Sequence, residues 1–220
     1  MLPPDLVRAK VVRDYLREAD SQEVCMFLSR RSVLPGFLFL LLALWIAAPL
    51  SATTLVRAGL DELVASNERV VVGEILDTVS YWNQDRTFIL TDVRIAPAET
   101  IKGKAEGELT VTLLGGTVGD LTTLIVGGAE LVPGRSYVLF LNPERLPGAR
   151  QPLTLRDHSQ GAFEVTTRKG ELRAVSQAVR HPLAPDRSGR IEAPGGVEGL
   201  PLETLLENLR GIVKRQEGGR

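Results

Sequence analysis

Asp157-His158-Ser159 holds the three residue types of a hydrolytic triad: a carboxylate, an imidazole base and a hydroxyl nucleophile. Consecutive residues project in different directions, however, so these three cannot converge on one another. They read as a polar turn ahead of the glycine at position 161. His158 stays the residue on which a hydrolase or metal-dependent enzyme would have to turn. The other histidine, His181, precedes Pro182 and reads as a solvated loop residue. A zinc site needs further nitrogen or sulfur ligands at suitable spacing. Two distant histidines, and no cysteine after Cys25, offer none. No catalytic, cofactor-binding or metal-ligating residue is therefore assigned, and no cofactor is expected.

Gly115-Gly116-Thr117-Val118-Gly119-Asp120 has the glycine content of a phosphate loop. It lacks the Gly-Lys-Ser/Thr ending and no helix is predicted after it, so the geometry for an anion is missing. A loop whose glycines adopt positive φ is the simpler reading. Asp85 and Asp92 flank a turn; to act as paired carboxylates they would have to meet across a cleft, and solvation is the default. Tyr81 and Trp82, beside Asn83, are the candidate partner-binding residues. Aromatic side chains at a strand tip can anchor a partner, or they can cap the end of a core.

The elements that must position these residues are mostly strands. Arg69 to Trp82 is β-branched and almost continuous, broken by Gly73. Asn83-Gln84-Asp85-Arg86 has turn chemistry, and Thr87 to Ile95 follows with Ile89, Thr91, Val93 and Ile95 on one face. Gly107 to Gly116 is a third strand, Leu124-Ile125-Val126 a short fourth, and Ser136 to Leu141 an apolar fifth. Gly161 to Val175 reads as a hairpin turning at Lys169-Gly170. A short amphipathic segment around Leu60, Leu63 and Val64 precedes the strands. Residues 181–200 are rich in proline and glycine and read as a linker. From Pro201, Leu202, Leu205, Leu206, Leu209, Ile212 and Val213 recur at helical spacing, predicting a C-terminal helix over 201–216 whose apolar face packs on the strands. Five successive short strands with a helix outside them predict a mainly β fold: a small OB-type β-barrel over residues 53–180. A β-sandwich is the alternative.

The address comes from residues 29–52. Phe37 to Ala48 contains no polar residue, which is shorter than the roughly 20 residues needed to cross the hydrocarbon core. Arg30 and Arg31 precede it, and Pro49 and small residues follow, with Leu50-Ser51-Ala52 as a cleavage tripeptide. Residues 26–52 thus read as an export signal started at Met26 and cut after Ala52. Residues 1–25 would be a misassigned upstream start, or else a cytoplasmic extension that leaves Phe37–Ala48 as a retained anchor. Both versions put the main domain outside the cytoplasmic membrane. Ser29-Arg30-Arg31-Ser32 resembles a twin-arginine signal, but the centre is very hydrophobic and general secretion is the better match.

Of the 220 residues 24% are charged, with 26 basic and 27 acidic side chains. Residues 1–52 hold six basic and five acidic ones, leaving 20 against 22 from Thr53 onward, a net charge of −2. No basic stripe matches a phosphate backbone, so nucleic acid is not an expected partner. Without cysteine after Thr53 the domain must rest on its hydrophobic core, which a chain of this length can build.

The order "ERVVVGEI", Trp82 in a turn, "ILTDVRIAPAETIKG", "LTVTLLGG" and "VPGRSYVLFL" resembles a group of uncharacterised exported bacterial proteins. It is also similar to the netrin-like module, the OB-type barrel of tissue inhibitors of metalloproteinases. The likeness runs from about Leu60 to Leu141 and implies the barrel. Those inhibitors use an N-terminal cysteine whose free amine approaches the protease zinc. Here the inferred mature chain starts at Thr53 and contains no cysteine, so no inhibitory residue carries over. The sequence thus points to an exported, non-enzymatic module that binds a protein partner in the cell envelope or outside it. The rivals are an enzyme using His158 and a membrane-tethered structural protein.

Overall fold

A computed structural model describes residues 55–104, 107–186 and 188–219, which belong to the compact unit Thr53–Arg220. Arg30, Arg31, Ala52 and the apolar run Phe37–Ala48 lie outside the described residues. Among the described residues, no helix is long and apolar enough to cross a membrane.

The fold is mainly β with a C-terminal helix. In chain order the elements are β1 (Leu55–Val56), α1 (Leu60–Ser66), β2 (Arg69–Trp82), β3 (Ile89–Lys102), β4 (Leu109–Leu114), β5 (Gly116–Val118), β6 (Leu121–Thr123), β7 (Ser136–Leu141), β8 (Ala162–Arg168), β9 (Glu171–Ser176), β10 (Leu183–Ala184), β11 (Leu200–Pro201) and α2 (Leu202–Gly218). Seven strands form one antiparallel sheet in the order β11-β9-β8-β7-β2-β3-β4. β2, β3 and β4 follow one another, and β7 returns by a long connection to lie beside β2. The spatial order β7-β2-β3-β4 is a Greek key.

The β2–β3 hairpin is its spine. Its register shifts three times between Val70 and Asp77, and such bulges bend a strand and increase its twist. Gly73 sits inside that bend opposite Pro97, where a Cβ would lie 2.8 Å from the Ala96 carbonyl oxygen and the Ile95 side chain. Only glycine allows this approach. Beyond the bend, β3 continues to Lys102, so the strand is longer than its alternating segment suggests.

Both faces are covered. Val71, Ile75, Val93, Ile95, Val111, Tyr137 and Leu139 form one core with Leu131, Leu153 and Leu155. Val70, Val138, Phe140 and Phe163 face the other way, against Leu63 and Val64 of α1 and Leu205, Leu209 and Ile212 of α2. The leucine spacing that predicts α2 is the spacing it buries. Arg210 on its outer side clamps Glu99 of β3, with Nη2 2.8 and 2.9 Å from the two carboxylate oxygens.

Among the described residues the expected closed barrel is not formed, and neither is a two-sheet sandwich. The sheet is open. Among the described residues no strand joins β4 to β7; only Leu153–Thr154 lies between them, Thr154 exchanging backbone hydrogen bonds at 2.9 Å with Asn142 just past β7. The Thr112 N–H of β4 donates to the Leu153 carbonyl at 2.8 Å, and the Thr154 hydroxyl donates to the Thr112 carbonyl at 2.7 Å. The outer side of β8 pairs with β9, and β11 then takes the outer side of β9. Residues 181–200, expected as a linker, instead supply β10, which pairs in parallel with β1, and β11. Arg57 fastens this stretch: its Nη1 lies 2.6 Å from Asp186 Oδ2, and its Nε donates to the Glu192 carbonyl.

Candidate functional site

The structure separates the triad-like residues. The Asp157 carboxylate accepts from Asn67 Nδ2. That amide belongs to a buried cluster in which Asn142 Nδ2 donates to Asn67 Oδ1 at 3.1 Å and Asn142 Oδ1 accepts from the Glu68 N–H. The cluster fastens the end of α1 to the end of β7. Ser159 is fully buried with its hydroxyl unpaired. His158, held at φ 52°, has no hydrogen-bond or ion-pair partner among the described residues and lines a cavity of about 40 Å³. The three side chains do not meet, and no group of three or more His, Cys, Asp or Glu side chains among the described residues could hold a metal ion.

Asp85 is exposed in the β2–β3 turn. Asp92 points into protein, where its Oδ1 accepts from the Tyr81 hydroxyl at 3.0 Å and from the Thr112 hydroxyl at 2.6 Å. The two carboxylates do not form a pair.

Of the strand-tip residues, candidates either to anchor a partner or to cap a core, Tyr81 and Asn83 are inside. Tyr81 is 8% exposed and packs with Leu90 and Ala149. The Arg150 guanidinium lies 4.0 Å from its ring centre, and the Arg150 N–H donates to its hydroxyl at 3.2 Å. Asn83 is also buried. Its Oδ1 accepts from the N–H groups of Thr87 and Phe88 at 2.8 and 3.2 Å, closing the hairpin turn. Asparagine is suited to satisfying its own turn in this way. Only Trp82 keeps partial exposure.

The concave feature with the richest lining lies elsewhere. A groove of about 520 Å³ has Thr78 and Ser80 of β2, Thr91 and Val93 of β3 and Leu113 of β4 as its floor. These residues share one face through the pairs Ser80↔Thr91 and Thr78↔Val93. One wall is a flap built from the β5–β6 hairpin, and the other runs through Gly128–Leu131, Gln177, Arg180 and His181. The glycine doublet makes the flap. Gly115 and Gly116 have φ of 91° and 128°, and the chain doubles back over the floor. Thr91 Oγ1 donates to the Gly115 carbonyl at 2.7 Å. A side chain at Gly116 would collide with the Ser80 and Thr91 hydroxyls, which bond each other at 2.9 Å. The phosphate-loop look of this segment is thus the chemistry of a fold-back. On the far wall, Gln177 brackets residue 130, accepting from its N–H at 2.7 Å and donating to its carbonyl at 2.6 Å. Arg180 reaches Glu130 and Glu164, each at 3.4 Å.

The flap carries unusual apolar exposure. Leu121 is 60% exposed, and Leu124 and Val126 are each 86% exposed. Leu124-Ile125-Val126 is expected as a strand, yet it is a loop with two apolar side chains in solvent. Sequence reading missed the groove because its floor is assembled from three strands. The signal that could have revealed it was the Gly115-Gly116 doublet followed by an apolar run without periodicity. No family model matches this chain, and comparison with curated proteins and with solved structures returns no match.

Proposed function

We propose that the domain is an exported, non-enzymatic binding module that engages a protein partner in the cell envelope or the extracellular space. The observation that carries this reading is the apolar flap beside the groove. Leu121, Leu124 and Val126 keep large hydrophobic surfaces in water next to a hydroxyl-lined concavity, and exposed apolar surface beside a polar rim is a common mark of an interaction site. The charge balance fits a protein partner better than a nucleic acid. The export reading rests on Arg30, Arg31 and the cut after Ala52. The Greek key β7-β2-β3-β4 supports a kinship with OB/netrin-like folds, whose barrels contain that strand order. Tyr81 and Asn83 support this site by bracing the hairpin beneath it, and Trp82 stays a candidate contact at its end.

A photo-crosslinking residue at Leu124, introduced into the protein in its native envelope, tests the reading. The expected result is a covalent adduct with a second protein that is lost in Leu121→Asp/Val126→Asp and retained in His158→Ala. Absence of any protein adduct, or a turnover that vanishes with His158→Ala, overturns it.

A further inference from the structure

The groove is bordered by an unused length of sheet edge. β2 pairs with β3 from Val70 to Trp82, but with β7 only over Arg69–Glu74. The last bonds on the β7 side are Ile75 N–H to the Arg135 carbonyl and Gly134 N–H to the Ile75 carbonyl. There the turn at Val132–Arg135 carries the chain away. Tyr137 holds that turn in place, its hydroxyl accepting from the Val132 N–H at 3.1 Å. From Asp77 to Trp82, β2 has no strand on its second side among the described residues.

The direction of the backbone groups follows from the pairing. The Asn83 N–H donates to the Phe88 carbonyl. Backbone groups of an antiparallel strand alternate between its two sides. Tyr81, Val79 and Asp77 therefore turn theirs toward β3, and Thr78, Ser80 and Trp82 turn theirs outward. Those three residues present three donors and three acceptors along one line, with no hydrogen-bond partner for them among the described residues. Natural edges are commonly shielded by proline, charge or a covering loop. Among the described residues no strand pairs with this one, and Thr78 and Val79 on it are exposed.

We infer that this edge takes an extended polypeptide segment of the partner by strand addition, in the place where β7 would lie if it continued. The inference rests on the binding-module reading and names what the groove binds. An extended backbone is the chemistry that satisfies a row of alternating donors and acceptors. Every second side chain of the added strand would fall on the face of Thr78 and Ser80, which is the groove side. Beyond β2, on the side the added strand would occupy, the groove wall runs through Glu130, Leu131, Gln177 and Arg180, which suits an apolar side chain flanked by polar ones; Val93 and Leu113 lie across β2 on β3 and β4. A second copy of this chain pairing edge to edge would use the same backbone groups but bring its own Thr78 and Ser80 hydroxyls to the groove side, whereas the exposed Leu124 and Val126 beside the groove are better matched by a partner segment with apolar side chains.

The test is a library of soluble peptides of about seven residues with alternate positions randomised, screened against the purified full chain and followed by residue-resolved amide exchange. The selected peptides should slow exchange of the Thr78, Ser80 and Trp82 amides and leave Val79 and Tyr81 unchanged. N-methylation of the peptide at alternate amides should weaken binding about tenfold. Thr78→Pro removes one outward N–H, and proline is tolerated on a strand edge, so it should lower affinity by a similar factor with the β2–β3 amides still protected. Should Thr78→Pro unfold the domain, the N-methylated peptides carry the test alone. No binder in the library, binding without protection of the three amides, indifference to N-methylation, or a dimer joined through this edge each overturns strand addition. If these occur while the Leu124 adduct persists, strand addition fails and the binding module stands. Loss of the adduct as well removes both.

Discussion

Tyr137 shows how one hydroxyl can shape an edge. Its ring is fully buried, and burial pushes its phenol above the usual range, opposed by the hydrogen bond from the Val132 N–H. That bond fixes the turn that peels the chain from β2. Tyr137→Phe keeps the ring and leaves the Val132 N–H without a partner. The expected loss is about 1 kcal/mol of unfolding free energy, read by denaturant melts, with faster exchange at Val132; an unchanged Val132 amide would refute this role. At this scale the sequence was legible in residue type but not in direction. Tyr81 and Trp82 were legible as the aromatic end of a strand, with Asn83 in the turn after it. Whether they faced water depended on Arg150 and Ala149, nearly 70 residues away, and no local pattern encodes that. Asp157 was legible as polar, while its use by Asn67 was not.

Among the elements, periodicity was a sound guide where one face is buried. The leucines of α2 and the run Arg69–Trp82 follow their predicted spans closely, and the β8–β9 hairpin turns at Lys169-Gly170 as expected. It failed where glycine and proline suggested slack. Residues 181–200 look like a linker by composition, yet Asp186 organises them. Its carboxylate accepts from the Ser188 hydroxyl and N–H at 2.6 and 2.8 Å and from the Arg190 N–H at 3.0 Å, and it pairs with Arg57. These groups, led by the Ser188 hydroxyl, hold the carboxyl far below its usual value near 3.8. A depressed folded-state pKa stabilises the fold above the unfolded value, and that contribution is lost as pH falls below it. Protection of the Ser188 and Arg190 amides, corrected for intrinsic exchange, should therefore be constant above about pH 5 and fall on acidification toward about pH 2.5. Asp186→Asn should remove this dependence. A flat profile in the unsubstituted protein would sink the idea.

For the whole molecule, the strands were legible but their closure was not. Alternation reports that a strand has a buried face, and the sheet does bury both faces. It cannot report whether the outermost strands find each other. Between β4 and the end of β7 the link is the short stretch Leu153–Thr154, held by Thr112 on one side and Asn142 on the other, and it reaches β4 across 42 residues of chain. The consequence is a sheet with usable margin, which a closed barrel would have hidden. The β1–β10 pair has a mechanical consequence of its own. It joins only Leu55–Val56 to Leu183–Ala184, reinforced by Arg57 on Asp186 and the Glu192 carbonyl. A pull on the chain at Leu55 loads this small clasp before any force reaches the seven-stranded sheet. In single-molecule stretching between Leu55 and the C-terminus, a small early yield should precede the main rupture and disappear in Arg57→Ala; a single rupture in the unsubstituted protein would show that the clasp bears no separate load. The clasp would then act as a fuse, letting the first residues give under tension while the groove keeps its shape.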